Sequence, residues 1–422
     1  MPFTSLGLSP ALVRAVARQA YLEPTAIQVQ AIPAILQGRD VLATAQTGSG
    51  KTAAFALALL QQLETAPIDS PRRPLALVLV PTRELCAQVG QEISGLAKSL
   101  QRAVKTAVVY GGVSINPQML ALRGGADVVV ATPGRLIDLL GHNALTLQYI
   151  NALVLDEADR MLDLGFAEEL EKILAQLPRD RQNLFLSATF PASVQALAER
   201  LLRNPTRIAI AVEPQTAPAI TQRALAVDPS RRTQLLRHLI EQNGWSRVLV
   251  FVATQHAAEM LAGKLRKAQI GAEPFHGALT QGKRTQVLAD FKASRLRVMV
   301  ATDMAARGLD IAQLPVVVNF DLPRSATDYT HRIGRTGRAG ESGTALSFVS
   351  ADTEGHFRLI EKRQRIQAIL EQIPGFEPVE AATQPAAAQE TAGSDRGTGG
   401  IKGKRRSKKD KLRAAGLGFD PL

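Results

Sequence analysis

The sequence predicts an α/β protein of two tandem lobes, each a mostly parallel sheet flanked by helices, followed by a disordered basic tail. Three observations carry that reading. Short β-branched runs alternate with longer amphipathic stretches, the pattern that layers helices on a parallel sheet. The two halves of the chain echo one another: LVLVPTREL (77–85) is matched by VLVFVATQH (248–256), and DVVVATPGR (127–135) by RVMVATDMAARG (297–308). Beyond residue 370 the chain turns to Gly, Ala, Ser and segregated charge, too poor in apolar residues to offset the entropy of ordering.

In chain order, DVLAT (40–44) is apolar and leads through a glycine-rich turn into a helical stretch, AAFALALLQQL (53–63). LALVLV (75–80), DVVVA (127–131), ALVLD (152–156) and NLFLSA (183–188) read as strands buried on both faces, because their apolar runs are continuous rather than alternating. Helical segments such as 82–100 and 159–177 separate them. RIAIAV (207–212) closes a first lobe, 1–212, and the Pro- and Thr-rich stretch 213–219 reads as a linker. The second lobe, 220–369, repeats the pattern with RVLVFV (247–252), LRVMVA (296–301), PVVVNF (315–320) and TALSFV (344–349). The tail is assigned to 370–422. Open parallel sheets bind ligands at strand carboxyl ends, so Thr82, Thr132, Thr254 and Thr302 all fall on candidate binding edges.

Composition excludes several classes. With 45% hydrophobic and 21% charged residues, wholesale disorder is ruled out, and no apolar run approaches the roughly 18 residues a membrane span needs. Cys86 is the sole cysteine, so a disulfide framework or cysteine zinc site is excluded, and the six histidines show no metal-ligand spacing. The N-terminus lacks a basic segment before an apolar stretch, and a cytoplasmic protein is expected. The formal charge is +12: residues 377–395 carry −4, residues 396–422 carry +7, and the body keeps +9. A polyanionic partner follows. Aromatic content is only 4%, so a nucleic-acid grip would work through the backbone rather than by base stacking.

Two elements carry chemistry. In AQTGSGKT (45–52), Gly48 and Gly50 would let backbone N–H groups wrap phosphate oxygens, Lys51 would reach the outer phosphates, and the Thr52 hydroxyl would bind Mg²⁺. Ala45 stands where the general pattern has glycine, and a plain turn before a core helix is the alternative. VLDEADRML (154–162) runs a buried strand into Asp156 and Glu157, one suited to Mg²⁺ through water and the other to the attacking water. Taken alone, the same residues suit an acidic helix start equally well. On a later strand of the lobe with the phosphate loop, they point to nucleoside triphosphate hydrolysis.

With these motifs the chain resembles the DEAD-box ATP-dependent RNA helicases from Phe3 to about residue 350, and GGVSINPQM (111–119) and RMLDLGF (160–166) resemble their bacterial RhlE-like branch. The resemblance implies RecA-like lobes and the cofactors ATP and Mg²⁺, the metal held by Thr52 and Asp156 mostly through water. It implies that EPTAIQ (23–28) is the adenine motif, with Phe3 as its upstream aromatic and Gln28 reading the base. Thr47, Gly48, Ser49, Gly50, Lys51 and Thr52 would form the ATP loop, and Asp310 would touch the ribose. Pro81, Thr82, Arg83, Gly111, Gly112, Thr132, Pro133, Gly134 and Arg135 would face RNA in the first lobe. Thr254, Gly277, Gln281, Arg284 and Thr302 would do so in the second. Ser187 and Thr189, with Asp159 and His331, would couple ATP state to unwinding, and Arg335 and Arg338 would be the arginine fingers. His331 reads as an interface histidine, Cys86 as a small core residue.

The division of residues implies a mechanism. The first lobe lacks a cation placed for the charge that develops in phosphoryl transfer, so hydrolysis waits for cleft closure to bring Arg335 and Arg338 across. RNA gripped by both lobes would favour closure. A strand held in a bent path no longer fits A-form pairing, giving local, non-processive unwinding of structured or duplex RNA. The basic tail reads as a non-specific RNA tether. An ATP-dependent RNA clamp or annealing factor is the second reading, and a DNA-translocating helicase the third, against which DEAD, EPTAIQ and PTREL weigh. Ribosomal or degradosome proteins are the expected protein partners, and no membrane is expected.

Overall fold

A computed structural model describes residues 2–45, 48–210, 220–306, 311, 314–337, 342–364, 366 and 368–379. It contains two seven-stranded parallel sheets. The first comprises β1 (Val41–Thr44), β2 (Ala76–Leu79), β3 (Thr106–Val109), β4 (Val128–Ala131), β5 (Ala152–Leu155), β6 (Gln182–Ser187) and β7 (Thr206–Ala209), ordered β3-β4-β2-β5-β6-β1-β7. The second comprises β8 (Ile220–Ala226), β9 (Val248–Val252), β10 (Ala272–Phe275), β11 (Val298–Thr302), β12 (Val316–Asn319), β13 (Gly343–Val349) and β14 (Leu370–Glu371). Its order is β10-β11-β9-β12-β13-β8-β14, so each strand occupies the position of its counterpart seven strands earlier. The echo in the sequence is a repeat of topology.

Continuous apolar strands are buried on both faces because helices cover both. Along β2, Ala76 and Val78 join one core cluster while Leu77 and Leu79 join the other; Val248, Val250 and Val252 of β9 divide from Leu249 and Phe251 in the same way. Each of these valine, leucine and phenylalanine side chains contributes about 1.5–3 kcal/mol by leaving water. In-register parallel pairing, for example Val41 with Leu184 and Val298 with Val248, aligns the carboxyl ends of the central strands. The loops after those ends therefore collect on one edge of each sheet, where the chemistry-bearing residues lie.

Two expectations change. The helix expected over 159–177 is two, Ala158–Asp163 and Ala167–Leu174, divided by Gly165 at φ +85°. The tail does not begin at 370: β14 pairs with β8, Arg223 binds Glu371, and Ile373 and Phe376 pack on the second lobe's core. Two short strand residues and two apolar anchors are too few to stand out in a Pro- and Gly-containing stretch, and they order only because β8 offers a free edge. Residues 211–219, which contain the proposed linker, and 380–422, which contain most of the tail, lie outside the described residues. Among the described residues no helix is long and apolar enough to cross a membrane.

Candidate nucleotide and RNA site

The turn after β1 forms a cradle. Gly48 and Gly50 adopt left-handed backbone, φ +84° and +92°, at the start of the helix Lys51–Glu64. A Cβ at Gly50 would fall 2.7 Å from Gln28 Nε2 and 2.8 Å from Thr25 Oγ1, so the loop admits no side chain there. Gln28 is buried; its Oε1 accepts from the Thr25 N–H at 2.9 Å and its Nε2 donates to the Gly50 carbonyl at 3.2 Å. The amide expected at the adenine therefore also ties that motif to the phosphate loop. Lys51 is buried and donates from Nζ to the Ala45 carbonyl at 2.6 Å. Together with Tyr21, Thr52, Glu92, Asp156 and Glu157, these residues line a cavity of about 290 Å³.

The residues present fit a nucleoside triphosphate and a divalent cation. Ser49 Oγ is buried with no hydrogen-bond partner, the cradle accepts only glycine, and the Lys51 ammonium is turned onto a backbone carbonyl: each is a donor or a space an anion would satisfy. Among the described residues no group of three or more His, Cys, Asp or Glu is arranged to hold a metal. Such a site suits Mg²⁺ bound by one carboxylate, the Thr52 hydroxyl, phosphate and water rather than by an all-protein cage. Burial pushes the Asp156 carboxyl up to about 7, against the pull of Lys51 and with the push of Glu157 and Glu92.

Asp156 and Glu157 leave the end of β5 as expected. Glu157 stands at φ +54°, a left-handed conformation that costs a residue with a Cβ about 1–2 kcal/mol, and its carboxylate pairs with Arg160. Asp159 accepts from both the N–H and the hydroxyl of Thr189, at 3.0 and 2.7 Å. Ser187 Oγ accepts from the Asp159 N–H at 3.3 Å and donates to the Thr189 carbonyl at 2.8 Å. The ends of β5 and β6 are thus one hydrogen-bonded unit.

The second lobe brings a guanidinium to the same edge. The helix Ala326–Ile333 ends at Gly334, and Arg335 follows, buried. Arg335 and His331 line a small cavity together with Glu157, Asp159 and Arg160 of the first lobe. Burial, with the charges of Arg160 and Arg335, holds the His331 imidazole below its ordinary range, so it is neutral near pH 7. Arg332, which sequence reasoning passed over, clamps this helix: its Nε and Nη2 each reach Asp303 at 2.6 Å, and its Nη1 reaches Asn319 Oδ1 at 3.0 Å. Its place between His331 and Gly334 was visible in the sequence, but its partners lie on other elements.

Helix caps assemble the candidate RNA edge. Thr82, Thr132 and Thr254 each precede a helix, Arg83–Ala97, Pro133–Gly141 and Gln255–Lys267, and Thr302 ends β11. Thr82 and Thr254 Oγ1 accept from the N–H groups of Leu85 and Ala257 at 3.3 and 3.1 Å. Pro81 is buried beneath the first of these caps. Gly112, at φ +73°, lies under the Arg83 guanidinium, whose Nη2 is 1.8 Å from where a Cβ would be; Gly111 and Gly134 face open space. Arg135 is buried, donates to the Val113 carbonyl at 2.7 Å, and keeps Nη1 without a hydrogen-bond partner. In the second lobe Gly277 lies near Gln255, and Gln281 opens the helix Gln281–Lys292 with its Oε1 buried and unpartnered.

Two expected positions differ. Phe3 is buried in the first lobe's core within the short helix Phe3–Leu6, and the ring that lines the nucleotide cavity is Tyr21, whose hydroxyl donates to Glu92 at 3.0 Å. Phe3 opens an apolar trio with Leu6 and Leu8 that the core takes up, whereas Tyr21 lies two residues before EPTAIQ. Arg284, expected at RNA, is buried between the lobes: its Nη2 lies 2.7 Å from Glu84 Oε1 and its guanidinium stacks over Phe275 at 5.0 Å. Desolvation lowers the Arg284 pKa, opposed by Glu84. Glu84 follows Arg83 in the first lobe, so a cation brought to this edge meets a carboxylate before it meets solvent. Thr47, Asp310 and Arg338 lie outside the described residues.

Comparison with known proteins agrees with this geometry. The family model described as DEAD/DEAH box helicase matches residues 25–197, and that described as helicase conserved C-terminal domain matches 231–340. The DEAD-box ATP-dependent RNA helicase CshA of Bacillus cereus is 41% identical over 360 residues, covering 85% of this chain and 67% of the relative. The human probable ATP-dependent RNA helicase DDX47 is 40% identical over 379 residues, covering 89% and 80%. The structure of Saccharomyces cerevisiae Dbp5 bound to RNA and ADP BeF3 matches with a TM-score of 0.77 at 31% identity, covering 88% of this chain and 95% of that one. Paired parallel-sheet lobes, a glycine cradle facing two carboxylates, and these relatives lead to one conclusion: the chain belongs to the DEAD-box ATP-dependent RNA helicases.

Proposed function

We propose that this helicase hydrolyses ATP in response to RNA, by closing its cleft, and separates short duplexes locally rather than by translocation. The observation that carries the reading is the cavity shared by Arg335 of one lobe and Glu157 of the other. It supports a division of labour in which Lys51 and the glycine loop hold the triphosphate and Glu157 orients the attacking water. Arg335, with Arg338, would stabilise the charge of phosphoryl transfer, a contribution of about 10³–10⁵ in rate for a supplied arginine. Mg²⁺, when bound at Thr52 and Asp156, neutralises phosphate charge and draws the Asp156 carboxyl into its ionised form.

The ion pair between Glu84 and Arg284 supports closure as the coupling step, since it joins the element bearing Thr82 and Arg83 to the second lobe only when the lobes face one another. Asp159, Thr189 and His331 fit a relay from the nucleotide to that interface. In this reading Gln28 and Tyr21 hold the adenine, Asp310 the ribose, and the capped edges of both sheets hold the RNA backbone and 2′-hydroxyls. The lobes divide as 1–212 and 220–369, with the second extended by β14, and 380–422 acts as the basic tether. The RhlE-like branch rests on GGVSINPQM and RMLDLGF. A cytoplasmic location and partners from ribosome assembly or RNA decay belong to the same proposal.

ATPase and strand-separation assays on matched RNA and DNA duplexes, for wild type and Glu157→Gln, test the reading. Glu157→Gln is expected to lose turnover by about 10²–10⁴ while retaining RNA and ATP binding. Equal stimulation by both duplexes would reject RNA selectivity, and binding without separation in wild type would favour the clamp reading.

A further inference from the structure

The first lobe carries another cavity, of about 280 Å³, at the amino-terminal ends of β2, β4 and β5. Parallel strands put it on the sheet edge opposite the nucleotide and RNA residues, roughly 13 Å away for a four-residue strand. None of the residues assigned above to ATP or RNA lines it. Its floor is apolar, formed by Leu122, Val129 and Leu145, while Arg73, Arg123 and Tyr149 stand at its rim.

The walls are held firmly. Gly125, at φ +68°, bridges Arg72 in parallel, and a Cβ there would fall 1.8 Å from the Arg72 carbonyl oxygen. Arg72 and Arg102 both pair with the buried Asp127, so that carboxylate is already answered by two guanidinium groups. The rim differs. Arg73 stacks 4.3 Å over the ring of Tyr149, which is 39% exposed, and its ion contact with Asp69 is long and solvent-exposed at 3.7 Å. Arg123 is exposed and, among the described residues, makes no side-chain hydrogen bond or ion pair. Ile68 and Leu120, two of the large hydrophobics exposed among the described residues, lie within three residues of the lining segments.

Arginine, tyrosine and exposed aliphatic carbon around an apolar slot make the composition of a protein-docking centre rather than of a phosphate track. We propose that this cleft docks an acidic peptide segment of a partner protein, with one bulky apolar side chain in the slot and flanking carboxylates on Arg73 and Arg123. Charge complementarity selects the occupant: carboxylates would pair with Arg123 and supplement the long contact Arg73 makes with Asp69, whereas a basic segment would be repelled. Because the cleft lies on the far edge, a docked partner leaves the nucleotide and RNA edges open. The helicase is then recruited without being inhibited.

Fluorescence anisotropy of the full chain with a short labelled peptide, one phenylalanine between aspartates, tests this directly. Controls replace the aspartates by lysines or the phenylalanine by alanine, and a labelled oligouridylate reports on RNA. Arg123→Glu is expected to weaken the Asp–Phe peptide by about tenfold or more and Tyr149→Ala by about tenfold. RNA-stimulated ATPase rate and oligouridylate affinity stay at wild-type values in both, which also reports intact folding. The proposal is overturned if wild type does not prefer the Asp–Phe peptide to its lysine and alanine controls, or if both variants bind it as wild type does. It is also overturned if the substitutions weaken oligouridylate instead, which would make the cleft an RNA contact.

Discussion

In the N-terminal lobe β1 runs through a turn with two left-handed glycines into the helix Lys51–Glu64; in the C-terminal lobe β8, at the same sheet position, runs through Asp228, Pro229 and Ser230 into the helix Arg232–Asn243. The first turn presents a lysine and a glycine cradle. The second holds a buried carboxylate, Asp228, which accepts from the Val379 N–H at 2.9 Å, and Arg232 is committed to Asp321 and Ser350. The ends of β5 and β12 differ as sharply. Asp156 stands with its charge resisted by burial, whereas Asp321 is answered by Arg232. One topology thus serves two chemistries, and neither lobe alone holds both the glycine cradle and the guanidinium of Arg335. Duplicating a sheet copies where ligands can bind, not what binds them.

Removing the second lobe's contribution should have the largest effect. Arg335→Ala is expected to lower RNA-saturated turnover by about 10³–10⁵ with ATP affinity within a few fold, measured by single-turnover hydrolysis beside nucleotide titration. A loss of ATP binding with turnover intact would return the finger's role to the first lobe.

The interface pair comes next. Arg284→Glu sets two carboxylates face to face and is expected to raise the RNA concentration for half-maximal ATPase by about tenfold to a hundredfold. Adding Glu84→Arg should restore most of it. Failure of the swap to recover would show that Arg284 acts on RNA rather than across the lobes.

A smaller effect follows from pH. With the Asp156 carboxyl raised from 3.8 to about 7, the folded ligand-free protein keeps a proton that the unfolded chain releases between about pH 4 and 7. This group's contribution to stability therefore declines as pH rises through that window. Mg²⁺ needs the ionised carboxylate, so Mg²⁺-dependent nucleotide affinity should fall by up to about tenfold per unit below pH 7, and Asp156→Asn should flatten the profile. Isothermal titration in two buffers of different ionisation enthalpy would detect the released proton.

The smallest change expected is at Gly112. Gly112→Ala requires a left-handed alanine and displaces the Arg83 guanidinium, so RNA affinity should fall severalfold while RNA-free ATP affinity stays put. Equal loss of both would mean that the substitution unfolds the lobe instead.

Much of this was legible in the linear chain. The strands flanking the motifs were readable because a strand buried on both faces has to be apolar at every position, and LALVLV and RVLVFV are. The phosphate loop was readable because only glycine tolerates φ near +90° against Gln28 and Thr25. Edge strands were harder: β3, β10 and β14 are short or interrupted by polar residues, and pairing with a neighbour supplies what their own composition lacks. Phe3 and Arg284 show the same limit in the site. An aromatic ring and a guanidinium each suit ligand or protein equally, and only the surroundings choose.

By itself, then, the amino-acid string determined the α/β layering, the repeat of two lobes and the residue types at the phosphate loop and at Asp156 and Glu157. These depend on local backbone sterics and on burial, which act over a few residues. Tertiary structure alone decided that Asp159 would meet Thr189, that Arg332 would hold Asp303, and that Glu84 would meet Arg284 across the lobes. Such pairs join residues far apart in the chain, and their energy depends on distance and desolvation in space, which no linear spacing encodes.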